Sequence, residues 1–163
     1  MSYTESLLKE NRRESENTLR ILNRFQDSYA TWKPHPKSMP ALDMAKHVVQ
    51  LHLWLKQAIQ KNEFDFLTDI KPMHAETFED LQNLLERGRD DNEKFIKESG
   101  PGFWDDSFIL RAGDHIIMNG TRKEAVRYVL FNHLIHHRGQ LSVYLRMLEI
   151  PVPGIYGPSA DEQ

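Results

Sequence analysis

The chain has 163 residues, 39% hydrophobic and 28% charged, which suits one domain spanning residues 1–163 with a proper buried core. A formal net charge of -3, with basic residues spread along the chain, gives no electrostatic reason to expect nucleic acid, and no apolar run approaches a membrane span. Without cysteine there is no disulfide, thiolate nucleophile or thiolate ligand, so any metal site must use nitrogen and oxygen.

The segment from Met1 to Arg13 is polar and charged and carries no apolar leader core, which predicts a cytoplasmic protein. From about Thr4 to Tyr29 there is no glycine or proline, and Leu8, Thr18, Leu22, Phe25 and Tyr29 recur at the spacing of an amphipathic first helix. Its polar middle, Asn11 to Glu16, reads most simply as a solvated face. Pro34 and Pro36 then break the helix, and His35 between them reads as a loop residue.

Ser38 is placed to cap a second helix running to about Lys61, with Pro40 tolerated in its first turn. His47 lies in an apolar stripe with Met44, Leu51, Trp54 and Ala58. Alone, such a histidine reads as a hydrogen-bonded core residue, unless another element brings matching ligands beside it. His52 is out of phase with it and reads as packed or partly exposed. Asn62 to Pro72 forms a connector whose Phe64 and Phe66 are expected to pack on the bundle.

A third helix is expected from about His74 to Glu98, with a weak middle around Gly88 to Asn92 where it would bend. Phe103 to Gly120 reads as a long connection, its alternation too short and irregular for a sheet, though compatible with a small hairpin. Asp105, Asp106 and Asp114 within it read as turn formers more readily than as cation ligands.

Thr121 and Glu124 make a capping box that starts the last helix, which runs to about Leu148. Its expected inner stripe is Val126, Val129, Leu130, His133, His137, Leu141, Tyr144 and Leu148, so two histidines stand where apolar residues are expected. Four apart on a helix, His133 and His137 can aim at one point, whereas His136 is rotated by roughly 100° from His137 and is not a third ligand. His47 is the best-placed residue to complete a triad. Gly139 costs about 1 kcal/mol relative to alanine in a helix, which predicts a close approach by another backbone.

Three neutral imidazoles would leave a metal at least one open position and suit zinc, nickel or iron(II) in a Lewis-acid role. Asp43, one turn before His47, is a candidate to orient that imidazole or act as a base, or a solvated helix-start carboxylate. Arg138 is a candidate to hold an anionic substrate or, equally, a carboxylate of the bundle; Gln140 and Tyr156 are weaker pocket candidates. Di-iron bundle sites need glutamate three positions before a histidine, and no histidine here has it. A His-Glu-x-x-His protease is excluded by Leu134.

The run from Asn132 to Gln140, the tail Pro153-Gly154-Ile155-Tyr156-Gly157-Pro158 with its closing Ser159-Ala160-Asp161, and the Pro36-Lys37-Ser38 entry to the helix of His47 together resemble the DinB-like family of DNA-damage-inducible metal-binding proteins. The resemblance covers nearly the whole chain. It implies an all-α four-helix bundle of up-down-down-up topology with a long loop before the last helix. It also implies a divalent metal held by His47, His133 and His137, and often a homodimer. The family is similar in fold to thiol-dependent enzymes such as mycothiol-dependent maleylpyruvate isomerase and bacillithiol transferases. The expected function is therefore a metal-dependent enzyme acting on a small molecule, of thiol-cofactor S-transferase or hydrolase type. The alternative is a non-catalytic, metal-stabilised bundle or dimerisation protein of the stress response.

Overall fold

In the computed structural model, which describes residues 2–162, the chain forms four helical rods and a small sheet. Helix α1 spans Tyr3–Leu22 and opens on a capping box between Ser2 and Glu5. Helix α2 spans Ala41–Gln57; Pro40, not Ser38, occupies its cap position and makes no side-chain cap bond. Helix α3, Phe78–Glu98, starts at a second capping box, Thr77 with Asp80. The fourth rod begins as α4, Arg122–Ala125, continues through a π-helical segment, Val126–Phe131, and ends as α5, Asn132–Met147.

Contacts at the helix ends fix the packing. Phe25, just past α1, stacks on Phe78 at the start of α3 with centroids 4.9 Å apart, and Tyr3 at the start of α1 meets Trp104 beyond α3, so these helices are antiparallel. The α2 and α5 rods are also antiparallel: Tyr144 Oη donates to the Met39 carbonyl before α2, and Arg122 Nε donates to the Ile59 carbonyl beyond it. Glu10 with Arg127 and Glu14 with Arg138 set α1 beside the last rod in the same sense.

The fold is not all-α. Strands β1 (Glu63–Asp65), β2 (Ser107–Ala112) and β3 (His115–Thr121) form a sheet in the order β1-β2-β3. β1 is parallel to β2, with Phe64 opposite Leu110, and β2 is antiparallel to β3, from Ser107 opposite Thr121 to Ala112 opposite His115. Gly113 turns the hairpin at φ +58°, a left-handed conformation that costs glycine little. Phe64, Phe108 and Leu110 bury one face of this sheet in the core, while Ile116 and Ile117 of β3 remain exposed. Phe64 and Phe66 also pack around Trp54, as the sequence predicts.

Two further expectations are corrected. The polar middle of α1 is not a solvated face: Asn11, Glu14 and Ser15 are buried there, and Asn11 accepts from Asn92 of α3. The weak middle of α3 does not interrupt the helix, because Gly88 and Asn92 are its contact points with α2. A Cβ at Gly88 would lie 2.3 Å from Leu53 Cδ2, and Asn92 Nδ2 donates to the His52 carbonyl at 2.8 Å. No helix among the described residues is long and apolar enough to cross a membrane.

Candidate metal centre

The π-helical segment resets the phase of the turns that follow it. A π turn holds one more residue than an α turn, so the first positions downstream are rotated relative to an uninterrupted α-helix. The buried positions after it are Leu134, Arg138, Leu141, Tyr144 and Leu145, where the sequence predicts His133, His137, Leu141, Tyr144 and Leu148. The two histidines are thereby rotated out of the core seam to its margin, where they are half-buried beside α2. Arg138 takes the seam instead.

At that margin three imidazoles converge. His133 Nε2 lies 3.2 Å from His47 Nε2 and 2.8 Å from His137 Nε2. The ring centroids are 4.9 Å (His47–His133), 4.7 Å (His47–His137) and 4.6 Å (His133–His137) apart. Each ring offers one nitrogen within 4.8 Å of the other two, and no other cluster of this kind occurs among the described residues. His136 stacks edge-on against His137 but is exposed and stands outside the triad.

One outer nitrogen is anchored. His137 Nδ1 meets Gln140 Oε1 at 2.7 Å. An amide oxygen only accepts, so it calls for the Nδ1–H tautomer of His137. The Nε2 lone pair of His137 then faces His133 Nε2 at 2.8 Å. A neighbouring ring can donate a proton to it; a shared cation satisfies all three.

Charge and spacing fit that cation. Desolvation first, then the neighbouring His137 and His133, pushes His47 down to about 4; His133 is lowered by desolvation, then His137 and His136. Both are neutral at physiological pH, the state in which imidazole ligates. In a tetrahedral zinc site with bonds of 2.0–2.1 Å, ligand nitrogens lie about 3.3 Å apart; His47 and His133 match this at 3.2 Å, and His133 and His137 stand closer, at 2.8 Å.

The remaining candidates stand apart. Asp43 is exposed and pairs with Lys46 at 3.8 Å. Arg138 is buried and engages a bundle carboxylate, Glu14, at 2.5 Å; Tyr156 Oη lies against the same pair. Gln140 is a ring anchor rather than a pocket wall. Asp105 and Asp106 pair with Lys123 and Arg122, and His35 Nδ1 accepts from the Lys37 amide in its loop. Glu14 was missed as a participant, because it sits in a charged run that hides its burial.

Comparison with known proteins agrees with this architecture. A model of the DinB family matches residues 1–163. A DinB-like protein of Bacillus cereus ATCC 10987 superposes with a TM-score of 0.73 at 18% identity, over 93% of this chain and 97% of that one. The DinB-like protein YjoA of Bacillus subtilis gives 0.69 at 17% identity, over 97% and 99%. A stretch of 33 residues is 52% identical to the uncharacterized protein YrdA of Bacillus subtilis strain 168, and takes in 20% of each chain. The chain belongs to the DinB family.

Proposed function

We propose that His47, His133 and His137 hold one divalent transition metal, zinc, nickel or iron(II), and that the protein is a metal-dependent enzyme acting on a small molecule by thiol-cofactor S-transfer or by hydrolysis. The convergence of three imidazoles at a half-buried margin carries this reading. Three protein ligands leave a position open, which is the arrangement of catalytic rather than structural sites. Bound there, the metal supplies Lewis-acid chemistry, lowering the pKa of a water or thiol ligand toward neutrality. The chain's own part is to desolvate His47 and His133 and keep them neutral, to hold His137 by its outer nitrogen and to leave one side open. A homodimer in the cytoplasm, acting in a stress response, is part of the same proposal.

One observation favours a second reading, a non-catalytic metal-stabilised bundle or dimerisation protein. Asp43 is turned to Lys46 and Arg138 to Glu14, so neither candidate acid–base or anion-holding group faces the triad. Substitution separates the two readings. If the site is functional, His47→Ala and His137→Ala abolish metal binding and leave the melting temperature nearly unchanged; a large loss of stability in both supports the structural metal. Thiol-transfer and hydrolysis assays on the metal-loaded protein then test the reaction class.

A further inference from the structure

Resting on the metal-site reading, we propose that Gln140 is a positioning residue that selects the ligating tautomer of His137. Its Oε1 lies 2.7 Å from His137 Nδ1, one turn along α5, and its side chain is half-buried on the side of the ring away from the other two histidines. A neutral imidazole on its own divides its proton between two nitrogens, and only the form with the proton on Nδ1 offers Nε2 to a metal. The amide oxygen accepts and cannot donate, so it holds the proton on Nδ1 and directs the Nε2 lone pair at His133 Nε2, 2.8 Å away. His137 thus carries a built-in acceptor behind it, and its free lone pair is aimed at a second imidazole nitrogen, where a cation between the two rings satisfies both. Such outer partners fix ring orientation and raise ligand basicity, and their loss typically weakens metal binding by roughly 10–100-fold.

The experiment compares the full-length protein with Gln140→Leu and Gln140→Glu. Zinc affinity is measured by competition with a chelating dye, and the tautomer of His137 is read in the metal-free proteins from imidazole nitrogen–proton couplings by NMR. The expected result is a roughly 10–100-fold loss of zinc affinity in Gln140→Leu, with His137 shifting from the Nδ1–H form to a mixture. Gln140→Glu, which keeps an acceptor, retains the Nδ1–H form and binds zinc at least as tightly as the parent. An unchanged His137 tautomer in Gln140→Leu, with affinity within about twofold of the parent, overturns the proposal. If the parent itself binds no zinc, the metal-site reading fails, and the tautomer comparison still decides the role of Gln140: loss of the Nδ1–H form in Gln140→Leu supports it and an unchanged ring overturns it.

Discussion

Arg138 turns away from the three-histidine cluster that its neighbour His137 helps to build and closes a buried ion pair with Glu14 of α1, the two side chains being 3% and 5% exposed. Its Nη1 donates to the Glu14 carbonyl at 3.0 Å and to Thr18 Oγ1 at 3.2 Å, and its Nη2 to Glu14 Oε2 at 2.5 Å and to Tyr156 Oη. One guanidinium therefore joins the helix of His133 and His137 to α1 and to the C-terminal tail. The tail is tied down further by Glu162 against Arg20 and Arg24, and by Asp161 against Arg146.

Breaking that pair from one side leaves a buried charge uncompensated, which costs about 3–5 kcal/mol. Arg138→Met should lower the unfolding free energy by that amount in urea titrations, whereas Glu14→Leu combined with Arg138→Met should recover more than half of the loss. A cost below about 1 kcal/mol for the single variant, the scale of an exposed pair, would show that the ion pair is not buried in solution.

Acidification should act through His52. The ring is buried, its Nε2 lies 2.9 Å from Thr18 Oγ1, and its Nδ1 has no hydrogen-bond partner among the described residues. Desolvation, with the Arg138 charge adding to it, pushes His52 down to about 3. Between about pH 6.5 and 3 the unfolded chain binds a proton there and the native protein does not, so stability falls as pH falls, by up to about 1.4 kcal/mol per pH unit from this residue. Urea midpoints at pH 7 and 5 should therefore separate less in His52→Gln than in the parent; equal separations would remove His52 from the account.

Much of this was legible in the chain. The i, i+4 pair of His133 and His137, the phase of His47 and the capping box at Thr121 are local patterns, and each one appears in the structure. The β2–β3 pair is the small hairpin that the Phe103 to Gly120 connection is compatible with. Its extension into a sheet was not legible because β1 finds β2 through long-range parallel pairing, and β3 shows no apolar alternation since most of it faces out. The burial of Arg138 was hidden by the π turn, after which Leu134 and Arg138 are buried in place of His133 and His137 while Leu141 and Tyr144 keep their predicted places, and which no side-chain pattern announces.

Gly139 offers a test of the surface. The expected close approach of another backbone is not found among the described residues: Gly139 is exposed and a Cβ there would have nothing within 4 Å. Gly139→Ala should then stabilise the protein by about 1 kcal/mol through helix propensity alone, read as a rise in melting temperature with unchanged zinc affinity. A fall would place a second molecule against this face of α5.

The capping box of the last rod has a measurable share of its own. Thr121 Oγ1 accepts from the Glu124 amide, and the Glu124 carboxylate accepts from the Thr121 amide at 2.7 Å. Thr121→Ala should cost about 1 kcal/mol in chemical unfolding, with Thr121→Ser close to the parent. A variant as stable as the parent would contradict the cap.

Whether three histidines from two helices share one metal is decided by elemental analysis of the protein purified without a histidine tag, beside His133→Ala prepared identically. About one transition metal per chain is expected, lost in the variant. No metal in either protein, even after incubation with zinc, nickel and iron(II), would contradict a shared metal and leave the three rings as polar residues at the edge of a helical core.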